Sequence, residues 1–254
     1  MGDALVLVPT YNEAPNIRDI VARIRAAVPH ADILVLDDAS PDGTGSIADA
    51  ITQTDARVAV IHRAEKAGLG AAYREGFRYA IEKRYAIVVE IDADGSHDPA
   101  ELPTMLRLAE TADLVIGSRW VRGGSVVDWP RHRLAISRLG NRYARAALRS
   151  RIRDLTAGFR AYRTEALHEM DLDAVSSQGY CFQVEMAWRL ERSGCRVVEH
   201  PITFVERTEG DSKMHLGIVT EALWRVTAWG IALRLPSGSP HTRRGPAEHS
   251  ADPR

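Results

Sequence analysis

Two carboxylates one residue apart, Asp92 and Asp94, close the apolar run Ile87-Val88-Val89-Glu90-Ile91 and are followed by Gly95-Ser96-His97-Asp98-Pro99. Read as a strand, this segment points side chains two apart to the same face. Both carboxylates would then converge on one hard cation, of the kind that takes oxygen ligands and stays bound to phosphates. The spacing alone says little, because 18 Asp among 254 residues give about one Asp-x-Asp by chance. Asp171-Leu172-Asp173 reads as that chance copy. Context lifts the first pair, since open α/β sheets bind ligands at the carboxyl ends of their strands.

Two earlier apolar runs end in polar clusters of the same kind, Pro9-Thr10-Tyr11-Asn12-Glu13 and Asp37-Asp38-Ala39-Ser40. In a parallel sheet all three clusters share one edge. Thr10 and Asn12 taken singly also suit a turn or a helix cap. Asp38 is placed to accept hydrogen bonds from a nucleotide base or ribose, or to serve as a helix N-terminal carboxylate. Lys66-Ala67-Gly68-Leu69-Gly70 permits close backbone approach but lacks the pattern of a phosphate-binding P-loop. Val8 is followed by Pro9-Thr10-Tyr11 with no glycine turn, which disfavours a dinucleotide-dependent hydride-transfer enzyme.

From Arg119 to Arg163 the chain carries twelve Arg against two Asp, a strong local excess in a protein of net charge -1. Anionic partners should approach there. Arg138, Arg142, Arg145 and Arg149 recur at helical spacing, with Ile136, Leu139, Tyr143 and Ala146 on another face. Such a helix either packs on the core or lies on an anionic membrane surface. Arg207-Thr208-Glu209-Gly210-Asp211-Ser212-Lys213 reads as a loop that either closes over phosphate oxygens, with Arg207 as a fork and Lys213 as a point charge, or simply connects elements.

The elements that must position these groups alternate. Strand-like runs at Ala4 to Val8, Ile33 to Leu36, Val58 to Ile61, Ala86 to Ile91 and Leu114 to Gly117 are separated by helical patterns at Asn16 to Ala27, Thr44 to Gln53, Ala71 to Lys83 and Pro99 to Glu110. That order predicts βαβ units and a mainly parallel sheet flanked by helices. The length fits one sizeable domain over residues 1–235, followed by a Pro-, Ser-, Gly- and Arg-rich tail over 236–254 that is expected to be disordered. Near-neutral charge offers no nucleic-acid footprint, and two Cys cannot form a disulfide framework, so a reducing cytoplasm is expected. The most apolar late run, Val226 to Leu233, falls well short of the roughly 20 residues that span a bilayer.

Taken in order, Val8-Pro9-Thr10-Tyr11-Asn12-Glu13, Asp37-Asp38-Ala39-Ser40-Pro41-Asp42-Gly43-Thr44, Asp92-Ala93-Asp94, Gly117-Ser118-Arg119-Trp120, Asp154-Leu155-Thr156-Ala157-Gly158-Phe159 and Arg207 to Lys213 resemble the motifs of family 2 glycosyltransferases. The terminal loop resembles the branch acting on polyprenyl phosphates. The resemblance implies a GT-A-like Rossmann-type fold and an inverting transfer of mannose from GDP-mannose to a polyprenyl or dolichyl monophosphate. It implies that Pro9, Tyr11, Glu13, Leu36 and Asp38 hold the nucleoside, and that Asp92, Ala93 and Asp94 form the donor's metal segment. Asp92 and Asp94 would bind Mg2+ or Mn2+. Arg207 and Lys213 would contact phosphate, Arg119 and Arg133 would face the two anionic partners, and Asp154 and Glu185 would lie near the reaction centre. The expected location is peripheral, at the cytoplasmic face of a membrane, reached directly or through a separate membrane-protein partner.

Chemistry favours the same reading. A lipid monophosphate has a second pKa of about 6 and is already anionic near neutral pH, so it attacks without a dedicated base. Catalysis then mainly needs a cation on the leaving diphosphate and guanidinium groups that gather two anions. Two alternatives stand beside it, a polyprenyl-phosphate glucose synthase and a non-catalytic lipid-binding subunit.

Overall fold

In the computed structural model, residues 3–177, 179–206 and 216–235 are described. The first half alternates as expected, with strands β1 (Ala4–Thr10), β2 (Asp32–Asp37), β3 (Val58–His62), β4 (Ile87–Glu90) and β5 (Leu114–Ser118). Helices α1 (Ile17–Ala27), α2 (Thr44–Thr52), α3 (Leu69–Glu82) and α4 (Leu102–Ala109) lie between them, α4 preceded by a 3-10 turn over Pro99–Glu101. The later elements are β6 (Ser125–Val127), α5 (Arg131–Leu148), β7 (Arg160–Arg163), α6 (Thr164–Glu169), α7 (Gly179–Arg192), β8 (Val197–Pro201), β9 (Thr203–Val205) and α8 (Leu216–Ala232).

Seven strands form one sheet in the order β3-β2-β1-β4-β7-β5-β8, while β6 and β9 form a small parallel ribbon. All pairings in the large sheet are parallel except those of β7, which runs antiparallel between β4 and β5. Strand alternation divides the core. Leu5, Leu7, Leu34, Leu36 and Val88 face α3, α5, α6, α7 and α8, whereas Val6, Val8, Ile33, Val35 and Val89 face α1, α2 and α4. Helix α3 approaches β1 closely at Gly76, where an added Cβ would lie 2.6 Å from Leu7 Cδ1.

This topology explains how one edge collects the polar clusters. Strands β1, β2, β4 and β5 all end there, and the antiparallel β7 begins there, so the segment 154–159 arrives at the same edge from the opposite direction. The expected helix from Leu134 to Arg149 is α5, begun three residues earlier. Both the Arg207–Lys213 loop and the tail 236–254 lie outside the described residues.

Candidate active site

The first two clusters are stitched into one surface by the loop after β2. Asn12 N donates to Ser40 Oγ (3.1 Å), Glu13 N to Thr44 Oγ1 (2.9 Å) and Ala14 N to Asp42 Oδ2 (3.0 Å). Asp42 Oδ1 accepts from Thr44 N, satisfying a donor at the start of α2. Asp37 is buried and accepts from Thr10 Oγ1 at 3.1 Å and from the Ser40 hydroxyl. These bonds hold Ala39 at φ 55°, a left-handed conformation costing about 1–2 kcal/mol for a residue with a Cβ.

The expected nucleoside contacts gather along this surface. Pro9 and Tyr11 are half-buried, and Lys66 places its ammonium 3.7 Å from the Tyr11 ring centroid. Glu13 Oε2 accepts from Asn16 Nδ2 (2.8 Å). Asp38 is buried with its carboxylate shared between the Arg63 guanidinium and Gly68 N (3.0 Å), which fastens the start of α3 to the end of β2. Leu36 is wholly buried in the core, one residue before Asp37 closes β2. Ala93 is likewise buried.

The expectation that a strand aligns Asp92 and Asp94 needs correction. Strand β4 ends at Glu90, and Asp94 lies in the following turn, where its Oδ1 accepts from the Ser96 amide (3.1 Å) and hydroxyl. The turn, not the pleat, sets the two carboxylates. Asp92, whose side chain is 34% exposed, lies 3.6 Å from His97 Nε2 and receives the Tyr73 hydroxyl at 3.5 Å. Gly158 packs beside both groups, since a Cβ there would sit 3.4 Å from Asp92 Oδ2 and 3.8 Å from His97 Nε2. Among the described residues no group of three or more His, Cys, Asp or Glu side chains gathers around a cation position. A two-carboxylate set of hard oxygens suits Mg2+ or Mn2+ completed by phosphate oxygens and water. Asp171, of the second Asp-x-Asp, instead accepts from Asp173 N and Ala174 N in an exposed turn.

Arg119 follows β5, and its place is fixed by a buried pair. Its Nε and Nη2 donate to Asp154 Oδ2 (2.8 Å) and Oδ1 (2.7 Å), Nη2 also reaches Thr156 Oγ1 (2.9 Å), and its amide donates to Asp154 Oδ2 (3.0 Å). Asp154 is fully buried. Burial works to raise its pKa, yet the charge and hydrogen bonds of Arg119 carry the carboxyl below its ordinary range. Asp154 therefore stands behind Arg119 and fixes its orientation. Asn141 of α5 ties this segment to the helix, donating to Thr156 Oγ1 (3.0 Å) and accepting from Leu155 N (2.9 Å).

A run of rings connects the two halves. His97 packs against Phe159 and Phe204, with centroids 5.3 and 5.2 Å apart, and Phe204 meets Trp129 edge-on at 5.3 Å. The Arg119 guanidinium lies about 5.5 Å from the Trp120, Trp129 and Phe204 centroids. Arg133, in the first turn of α5, stacks 4.2 Å over Trp129 and pairs with Glu206. His97, Trp129 and Phe204 join this edge without belonging to any of the polar clusters that the sequence singles out. The Ser-His after Asp94 was a usable signal for His97, whereas Phe204 comes from a three-residue strand with no pattern of its own.

Glu185 is buried on α7, with Oε1 paired to Arg189 (2.7 Å) and Oε2 bonded to Ser177. Its neighbour Gln183 reaches the site's back wall, donating Nε2 to Glu90 Oε2 at 3.0 Å. Burial pushes the Glu90 carboxyl up to about 8 against the lowering pull of Arg160 and Gln183. The folded value thus lies above the ordinary 4.5, so the folded chain holds an extra proton between the two. Stability should fall as pH rises through that window and level off above it. Urea midpoints measured across the window should show this decline, and Glu90→Gln, which keeps the neutral shape, should flatten it. An equal decline in both proteins would remove Glu90 as its source.

A family model described as glycosyl transferase family 2 matches residues 5–171, and the chain belongs to that family. Undecaprenyl-phosphate mannosyltransferase of Micrococcus luteus is 54% identical over 230 residues, spanning 91% of this chain and 95% of that one. Polyprenol monophosphomannose synthase of Mycolicibacterium smegmatis is 52% identical over 233 residues, spanning 91% and 88%. Among solved structures, mannosyltransferase PcManGT from Pyrobaculum calidifontis, in complex with GDP-Man and Mn2+, superimposes with a TM-score of 0.59 at 22% identity, covering 93% of this chain and 65% of that one. Glucosyl-3-phosphoglycerate synthase from Mycobacterium tuberculosis, with Mn2+ and UDP-glucose, gives 0.61 at 20% identity, covering 90% and 78%. At these identities the two structures bear on the fold alone, and they agree with the expected GT-A-like α/β architecture.

Proposed function

We propose that the protein transfers mannose from GDP-mannose to a polyprenyl monophosphate, with inversion at the sugar carbon. The observation that carries this reading is the run of contacts from Asp92 through His97, Phe204 and Trp129 to Arg119 and Arg133. It links the turn that carries Asp92 and Asp94 to two guanidinium groups at one edge of the sheet. The names of the two relatives above half identity supply the sugar and the lipid class.

The nucleoside end of the donor lies along Pro9, Tyr11, Glu13 and Asp38, and its diphosphate lies toward Asp92 and Asp94. A divalent cation, Mg2+ or Mn2+, bound by those carboxylates would supply Lewis-acid stabilisation of the leaving diphosphate. The acceptor phosphate, gathered by Arg133 and Arg119, presents an oxygen to the sugar carbon. The new carbon–oxygen bond forms as the bond to GDP breaks, and no proton need be removed. Asp154 and Thr156 hold Arg119 so that its charge is fixed before the anions arrive. Incubation of the purified protein with labelled GDP-mannose and a short-chain polyprenyl phosphate tests the proposal, beside parallel reactions with GDP-glucose and UDP-glucose. Labelled lipid from GDP-mannose alone is expected; transfer only from a glucose donor, or none, would overturn it.

Arg207 and Lys213 belong to the same proposal as phosphate contacts. Arg207→Ala should lower single-turnover transfer by roughly ten- to a hundredfold, the range of a lost charge-assisted hydrogen bond of about 1.5–3 kcal/mol. Arg207→Lys should recover part of the rate, because the ammonium keeps the charge but not the fork. Wild-type single-turnover rates in both Arg207→Ala and Lys213→Ala would reduce the loop to a connector.

A further inference from the structure

Arg119 and Arg133 are each paired with a carboxylate, but the two pairs are built very differently. Asp154 is fully buried and takes three hydrogen bonds from Arg119, so parting them is costly. Glu206 meets Arg133 through a single contact between Nη1 and Oε1, and the two side chains keep 26% and 18% of their surface exposed. Arg133 Nε and Glu206 Oε2 are buried atoms without a hydrogen-bond partner among the described residues. The Trp129 Nε1 also lacks an acceptor among them, and its ring lies 4.2 Å from the Arg133 guanidinium. A half-satisfied ion pair with idle donors beside it is poised to exchange, because buried polar groups cost free energy until they are bonded. An anion that brings several oxygens would satisfy those donors, and it would have to take the guanidinium from Glu206.

We propose that Glu206 is an internal competitor for Arg133, which loosens every phosphate bound there and so speeds release of the glycosylated product. This rests on the proposed function, in which Arg133 gathers the acceptor phosphate. The competitor acts on acceptor and product alike, but the two start from different affinities. A phosphate monoester carries about 1.5 to 2 negative charges near neutral pH, more than the carboxylate it displaces. In the transfer step one of its oxygens bonds to the sugar carbon as the bond from that carbon to GDP breaks, and GDP leaves with the electron pair. One negative charge thereby passes from the lipid phosphate to the departing diphosphate.

The product is a diester with a single charge, no more than the carboxylate of Glu206 carries. Glu206 is moreover tethered beside Arg133, at an effective concentration that a dissolved diester does not match. Acceptor binding thus survives the competition, whereas product binding does not. The anchorage of Glu206 suits this exchange, since its amide donates to Val127 O at 3.3 Å and the backbone can stay on the β6–β9 ribbon while the side chain turns away.

Calorimetric titration of the full chain with citronellyl phosphate and with its methyl diester reads the competition without any transfer. The wild-type protein should bind the monoester more tightly than the diester. Glu206→Gln, which keeps the shape but not the charge, should tighten both by about fivefold or more. Glu206→Asp, which keeps the charge, should stay near the wild type. In steady-state transfer to citronellyl phosphate, Glu206→Gln should lower the acceptor KM without raising kcat, and inhibition by the diester should strengthen. Unchanged or weaker binding of both ligands in Glu206→Gln would overturn the proposal, because a residue that merely positions Arg133 would loosen phosphate when lost. Wild-type protein that binds neither ligand would overturn the placement of the acceptor phosphate at Arg133, and the competitor with it. The expected gain in phosphate binding, in a protein that transfers no mannose, would support the competitor and overturn the proposed reaction instead.

Discussion

Asp94→Asn is expected to abolish mannosyl transfer while leaving the fold intact. The substitution removes the charge that would hold a cation but keeps an Oδ1 able to accept from the Ser96 amide and hydroxyl, so the turn after β4 survives. Stability should change by only about 0.5 kcal/mol, as for a substitution at the surface. Loss of a cation on the leaving diphosphate removes several kcal/mol of transition-state stabilisation, which corresponds to roughly a hundredfold or more in rate. Single-turnover transfer and thermal melting of the same preparation check both halves. Near-normal transfer in a folded Asp94→Asn protein, or full wild-type turnover in excess chelator, would remove the metal role.

Asp154→Asn should behave in the opposite manner, losing stability and activity together. The carboxylate is fully buried and takes three hydrogen bonds from Arg119, so neutralising it strands a guanidinium away from water. Breaking one side of such a pair typically costs about 3–5 kcal/mol. Transfer should also fall well below the melting temperature, because Arg119 loses the partner that fixes its orientation. Because the Asp154 pKa is depressed in the folded state, this pair's contribution is complete above the ordinary carboxylate value of 3.8 and is lost only as pH falls through the lower folded value. Urea titration at neutral pH together with single-turnover rates tests the assignment. An Asp154→Asn protein of wild-type stability would show that the pair is not what holds Arg119.

The two substitutions mark where the sequence was legible. Strands β1 to β5 announce themselves because each is a short apolar run, buried on both faces in all but the edge strand β3, and the polar residues at their ends then fall on one edge by topology alone. Asp92 and Asp94 stand out that way, although the chain leaves the strand one residue earlier than the apolar run suggests. β7 stayed hidden. Its sequence, Arg160-Ala161-Tyr162-Arg163, has the composition of a surface segment, and Arg160 is tolerated in the core only because Leu155, Ala157 and Gln183 turn their carbonyls toward it. Trp129 and Phe204 are joined across 75 residues by a ring contact that leaves no local pattern. The Arg-rich helix was read correctly as a helix, but its apolar face points outward, which depends on how α5 packs and not on its own periodicity.

The position of β7 also sets the order in which the chain can be assembled. A ribosome delivers β4 and β5 well before the strand that must lie between them, so both present unpaired apolar edges until residue 163 has emerged. The centre of the sheet is thus closed by a late, long-range insertion, and only then is the 154–159 segment anchored at the edge where Arg119 waits. Topology of this kind slows folding, because loop-closure entropy is lost before the contacts that repay it exist. Nascent chains stalled before β7 would expose two strand edges able to pair with other chains, the condition under which newly made protein depends on chaperones.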